Sequence, residues 1–211
     1  MLLYLSSYKI GNRTDILKKW IKENNNKIVF IANARDWKPE TPEKEMKIIE
    51  YVNELESIGF EVIKIDLRNY FDNKEKLKQD LDKYNAFYII GGNVFNLRMA
   101  MKFSGFDLYI KERAKSKENL LYSGFSAGVC VLAPRLNGLE IVDEPLNPYN
   151  NEQVIYDGLG IIDYTILPHY KSDHIESELI DKSVEYFETN KIKYKTLRDG
   201  EVYVEIVSIN N

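Results

Sequence analysis

The segment that most constrains this chain is Leu120–Leu132, which reads L-L-Y-S-G-F-S-A-G-V-C-V-L. A short apolar run reaches Gly124, Ser126 and Gly128, and a second apolar run follows. This is G-x-S-x-G between a strand pattern and a helix pattern. In such a turn the backbone reverses sharply and lifts a serine hydroxyl above the end of a sheet. Glycines two residues to either side remove the Cβ atoms that would collide there. The pattern predicts an α/β fold with Ser126 as a nucleophile candidate.

The rest of the chain has the alternation such a fold needs. Strand patterns cover Leu2–Leu5, Lys27–Ala32, Glu61–Asp66, Ala86–Ile90 and Leu120–Tyr122. Helix patterns cover Asp15–Glu23 with Thr14 as cap, Thr41–Ile58 opened by Thr41-Pro42, Asn73–Lys83, Phe95–Lys102 and Leu108–Ser116. Strands alternating with helices imply right-handed crossovers, hence a three-layer α/β/α arrangement around a mostly parallel sheet. Ligands then bind beyond the carboxyl ends of the strands. Those ends carry Ser6-Ser7, Ala34-Arg35, Gly91-Gly92-Asn93 and Ser126, which are expected on one rim.

After Gly138 the pattern loosens. Pro145–Asn151 reads as a turn-rich loop, Tyr164–Pro168 as a short strand and Glu176–Thr189 as a helix. Tyr194–Leu197 and Val202–Val207 read as a closing hairpin around Asp199-Gly200. No linker or repeat divides the 211 residues, so a single domain over 1–211 is expected.

A serine hydroxyl needs a base, and the chain holds two histidines, His169 and His174. His169 follows an apolar strand and a proline in Y-T-I-L-P-H-Y, so it stands at a strand end as Ser126 does. His174 lies in the polar stretch K-S-D-H, and His169 is therefore the favoured base. The base needs a carboxylate to fix its tautomer. Asp199, Glu201 and Asp173 are all available at this stage. The backbone N–H of Ala127 can donate to an oxyanion, with a second donor from Gly91-Gly92. Those two glycines lack the G-x-G-x-x-G of a dinucleotide site. Cys130 reads as a packing residue. The stretch H-Y-K-S-D-H lacks zinc-helix spacing, so neither metal nor cofactor is expected.

Composition bounds the partners. A net charge of −4 offers no basic excess for a phosphate backbone, so no nucleic-acid partner is expected. One cysteine excludes an intrachain disulfide, as is usual in a reducing compartment. No run approaches the roughly 18 apolar residues of a membrane span. The expected location is cytoplasmic, with no membrane partner.

Taken together, I-I-G-G-N-V-F at 89–95, G-F-S-A-G at 124–128 and L-P-H-Y at 167–170 resemble the dipeptidase E/cyanophycinase family of serine peptidases. The opening L-Y-L-S-S and L-R-D-G at 197–200 fit the dipeptidase E pattern too. The resemblance implies a fold similar to class I glutamine amidotransferases, with serine in place of their cysteine. It implies hydrolysis of short peptides without metal or cofactor. It matches Ser126 to the nucleophile, His169 to the general base, and Gly92 and Ala127 to the oxyanion donors. Asp199 falls where dipeptidase E carries a glutamate. The family's recognition arginine after the histidine has no counterpart in D-H-I-E-S-E-L-I-D-K, so a preference for aspartyl peptides is not carried over. Lys171 and Arg135 are alternative cations, each also read as a solvated side chain. Two other readings share the pattern: an amidase or esterase with a non-peptide substrate, and a binding module without turnover.

Overall fold

The computed structural model describes residues 1–116, 119–150 and 153–208. Asn151, the last residue of the expected 145–151 loop, lies outside them. Six strands form the main sheet: β1 (Leu2–Ser6), β2 (Lys27–Ile31), β3 (Glu61–Ile65), β4 (Ala86–Ile89), β5 (Leu121–Phe125) and β8 (Val202–Ile206). Their order is β3-β2-β4-β5-β1-β8, parallel except for β8, which runs antiparallel to β1. A second sheet pairs β6 (Thr165–Leu167) with β7 (Tyr194–Thr196) in parallel.

The central strands are buried on both faces, as an enclosed parallel sheet requires, and all four residues of β4 and all five of β5 are buried. Alternate side chains feed two cores. Leu3, Leu5, Val29, Ile31, Phe87 and Ile89 point to one, and Tyr4, Ile28, Phe30, Tyr88 and Leu121 to the other. The first is covered by helices including α4 (Val94–Ser104) and α5 (Phe106–Lys115), which a single left-handed glycine, Gly105, separates. The second is covered by α1 (Thr14–Glu23) and α2 (Pro42–Ser57). The remaining helices are α3 (Lys74–Leu81), the single turn α6 (Ala127–Cys130) and α7 (Ser177–Thr189).

Thr41 caps α2 as expected, its hydroxyl accepting the Lys44 N–H at 3.2 Å. Thr14 does not cap α1. It is the first helical residue, Arg13 holds the cap position, and no side chain bonds there.

The closing hairpin is also corrected. β7 pairs with β6 and β8 with β1, so the chain changes sheets at Asp199-Gly200. The Asp-Gly turn was a sound local signal. The partners were decided by strands far away in sequence, which offered buried apolar edges.

Candidate functional site

Ser126 sits between β5 and α6 with φ 49° and ψ −122°. A non-glycine residue in such a conformation stores roughly 1–3 kcal/mol, held by its surroundings. Those surroundings explain the flanking glycines. A Cβ on Gly124 would stand 2.2 Å from the Ile89 carbonyl oxygen, and one on Gly128 would stand 2.1 Å from the same atom. The turn is thus clamped over the end of β4. Ile89 pairs with Gly124 in the sheet, so the Gly91-Gly92 loop leaves β4 beside Ser126. A Cβ on Gly91 would lie 2.8 Å from the Ser126 Cβ. Gly92 has φ 152°, and a Cβ there would meet the Ala34 carbonyl oxygen at 2.3 Å.

The rim expected from the sequence is present. Ser6 pairs with Phe125, so Ser7 and Ser126 leave the sheet side by side. Arg35, Gly91, Gly92, Ser126 and His169 line one cavity of about 260 Å³.

His169 and Asp199 arrive from the small sheet. Leu167 pairs with Thr196 in parallel register, so the two chains leave the sheet in the same direction. His169 follows two residues after the first and Asp199 three after the second. His169 Nδ1 lies 2.7 Å from Asp199 Oδ1. The imidazole is 2% exposed and its backbone is left-handed, with φ 61°. An N–H donated from Nδ1 to Asp199 leaves the Nε2 lone pair free. Burial, helped by the neighbouring His174, lowers the His169 pKa despite the opposing pull of Asp199.

The other carboxylate candidates are elsewhere. Glu201 Oε2 accepts the Arg198 N–H at 2.8 Å and braces the turn, while Asp173 is exposed. His174 does not meet Asp199. It stacks on His169 at 3.7 Å between ring centroids, and its Nδ1 accepts the Glu176 N–H at 3.2 Å.

Among the described residues, His169, His174 and Glu176 form the group that could hold a metal ion, each offering one ligand atom within 4.8 Å of the others. The two rings lie 8° from parallel and 3.7 Å apart, so their in-plane lone pairs lie in two separate planes. A tetrahedral ion needs them to converge, so a metal would require one ring to turn. Cys130 is buried, donates its S–H to the Ile166 carbonyl at 3.3 Å, and has its thiol pKa pushed well up by burial. It packs and is not a thiolate.

Arg135 pairs with Asp157 at 2.7 Å on the surface, and Lys171 lies over the Tyr170 ring. Neither lines the cavity. Its cations are Arg35, Lys38 and Lys47, and its acids are Asp143 and Glu176. The Arg35 Nε is buried without a hydrogen-bond partner. Desolvation pushes Asp143 up to about 7 although it accepts the Val94 N–H at 2.7 Å. The sequence put Arg35 on the rim but gave no signal for Lys38, Lys47 or Asp143, whose approach depends on tertiary packing.

The chain resembles known proteins throughout its length. Curated relatives include uncharacterized peptidases of Listeria innocua and Listeria monocytogenes, each 32% identical. The matches cover 56% of this chain and 54% and 55% of those proteins, so the chain spans about half the length of the curated relatives it matches. Among solved structures, a Listeria monocytogenes protein provisionally assigned as peptidase E is similar in fold, with TM-score 0.69, 24% identity and 98% of both chains covered. A peptidase from an acI-B1 Actinobacterium gives TM-score 0.68 at 14% identity, over 97% of this chain and 82% of its own. The fold is therefore that of peptidase E-type proteins, as the motifs implied. No helix among the described residues is long and apolar enough to cross a membrane. Residues 2–206 match the model of peptidase family S51, and the chain belongs to that family.

Proposed function

We propose that the protein is a serine peptidase acting on short peptides through Ser126, His169 and Asp199. His169 Nε2 takes the Ser126 hydroxyl proton while Oγ bonds to the scissile carbonyl carbon. The carbonyl π pair moves to oxygen, and the backbone N–H groups of Gly92 and Ala127 receive the oxyanion. Ala127 opens α6, so its amide has no partner within the helix. The C–N bond then breaks, and the His169 imidazolium gives its proton to the departing amine. Water, deprotonated by His169, releases the acid from the ester and restores Ser126. Asp199 holds the imidazole in the competent tautomer throughout.

One observation carries this reading: a buried imidazole, bonded at Nδ1 to a carboxylate at 2.7 Å, opens into the same cavity as a serine on a strained turn. A cavity of about 260 Å³ lies at the small end of ligand pockets, which supports a short substrate. Its mixed lining of Arg35, Lys38 and Lys47 with Asp143 and Glu176 supports a substrate charged at both ends, as a free dipeptide is.

A panel of free dipeptides, simple esters and simple amides, assayed with wild type and Ser126→Ala, tests the proposal. Dipeptide turnover that the alanine variant loses is the expected result. Turnover confined to esters or non-peptide amides, or retained without the Ser126 hydroxyl, would overturn it.

A further inference from the structure

Ser7 has no place in the reaction outlined above, yet it touches both groups that make the base work. Its side chain is wholly buried, one residue past β1. Its hydroxyl oxygen accepts the backbone N–H of His169 at 2.8 Å. Its hydroxyl proton has two acceptors in reach, Asp199 Oδ1 at 2.8 Å and the Leu197 carbonyl at 3.2 Å. The shorter, charged acceptor is the stronger one. Asp199 Oδ1 thus receives Ser7 and His169 Nδ1 together.

The arrangement answers a mechanical problem. His169 has φ 61°, a conformation a buried histidine keeps only when its surroundings over-determine it. β6 has three residues and ends before His169; beyond it the Tyr170 N–H still reaches the Leu197 carbonyl at 3.0 Å, but the His169 N–H finds no partner in the small sheet. That N–H is held from the main sheet, through Ser7. β1 is paired on both sides, by β5 and β8, so Ser7 extends an interior strand of the main sheet. Ser126 leaves the neighbouring strand one residue beyond the Ser6–Phe125 pair. One hydroxyl therefore ties the frame carrying the nucleophile to the small sheet carrying the base and its carboxylate. A second serine assists from the other side, since Ser172 Oγ accepts the Asp199 N–H at 2.8 Å.

We propose that Ser7 is a positioning residue that registers His169 and Asp199 against Ser126 through these two hydrogen bonds. The inference rests on the serine peptidase reading for its kinetic consequence, but its structural half stands apart from turnover. The residue acts through His169 and touches no substrate.

The test compares Ser7→Ala and Ser7→Thr with wild type, after circular dichroism and melting confirm that each variant is folded. Thr keeps the hydroxyl. In proton NMR, the His169 Nδ1–H shared with Asp199 is expected to give a downfield resonance in wild type, and its absence there would itself overturn the proposal. That resonance is expected to broaden or vanish in Ser7→Ala and to return in Ser7→Thr. On the best dipeptide, kcat is expected to fall between about 10- and 100-fold in Ser7→Ala, with KM within about twofold, because small misplacements of reacting groups cost this much. A folded Ser7→Ala with resonance and kcat unchanged would overturn the proposal. So would a rise in KM alone, which marks a binding role, or a lowered melting temperature with normal kcat, which marks a structural one. Should Ser7→Thr not fold, Ser7→Cys, a near-isostere with a weak donor, is expected to lie between wild type and alanine in both readouts. Absence of turnover in the wild type would count against the peptidase mechanism, while the resonance arm would still decide the role of Ser7.

Discussion

His169 Nδ1 stands 2.7 Å from Asp199 Oδ1 across thirty residues of sequence, and the parallel pairing of Leu167 with Thr196 brings the two together. In the proposed mechanism the carboxylate serves the imidazole in two ways. It fixes the tautomer, and it stabilises the cation formed when the serine proton arrives. Asp199→Asn keeps the shape and removes the charge. Its kcat is expected to fall by about 10²–10⁴-fold with little change in KM, as for other losses of base catalysis. Steady-state kinetics on the wild-type dipeptide substrate checks this.

Much of this was legible in the sequence, for reasons that differ by residue. Ser126 stood out because a nucleophile turn needs glycines at fixed offsets, and the Ile89 carbonyl shows why. His169 was legible because an apolar strand runs into it. Asp199 was one of three candidates, since a carboxylate in a turn carries no local mark of its partner. The pairing of β7 was misread because an Asp-Gly turn speaks only for its own residues, whereas the parallel partner β6 lies far upstream. Ser7 was placed on the rim, but its two bonds depend on residues 162 and 192 positions away.

Gly128 tests the clamp on the nucleophile turn. In Gly128→Ala the new methyl would stand 2.1 Å from the Ile89 carbonyl oxygen, a backbone atom that can move only with β4. Overpacking of this kind costs about 1–3 kcal/mol or more. A lowered denaturation midpoint is expected, together with lost activity in whatever fraction folds. Chemical denaturation followed by circular dichroism measures the first.

The pH profile of kcat/KM follows from the environment of His169. Burial, the neighbouring His174, Asp199 and Glu176 act on it together, and the balance lowers its pKa below the ordinary 6.5. The base must be neutral to accept a proton. The acidic limb is therefore expected to be centred at a pH below 6.5. A limb centred above it would contradict the environment described.

Asp143 makes the opposite contribution to stability. Its pKa rises from 3.8 to about 7 on folding, chiefly by desolvation. Between those values the folded state holds the proton more firmly than the unfolded state, so this group's contribution declines as pH rises. Asp143→Asn can still accept the Val94 N–H and has no charge to desolvate. The melting temperature of the variant relative to wild type is expected to rise from about pH 5 to about pH 8. Parallel melting curves across that span check it.

The most direct measurement is covalent labelling with a fluorophosphonate, mapped by mass spectrometry. Such a probe phosphonylates a serine whose proton a neighbouring base removes. In the wild type a single adduct on Ser126 is expected, with labelling abolished in Ser126→Ala and slowed by at least about 10²-fold in His169→Ala. A wild type that takes no label, or whose label lies on another residue, would contradict the assignment of Ser126 and His169 as nucleophile and base.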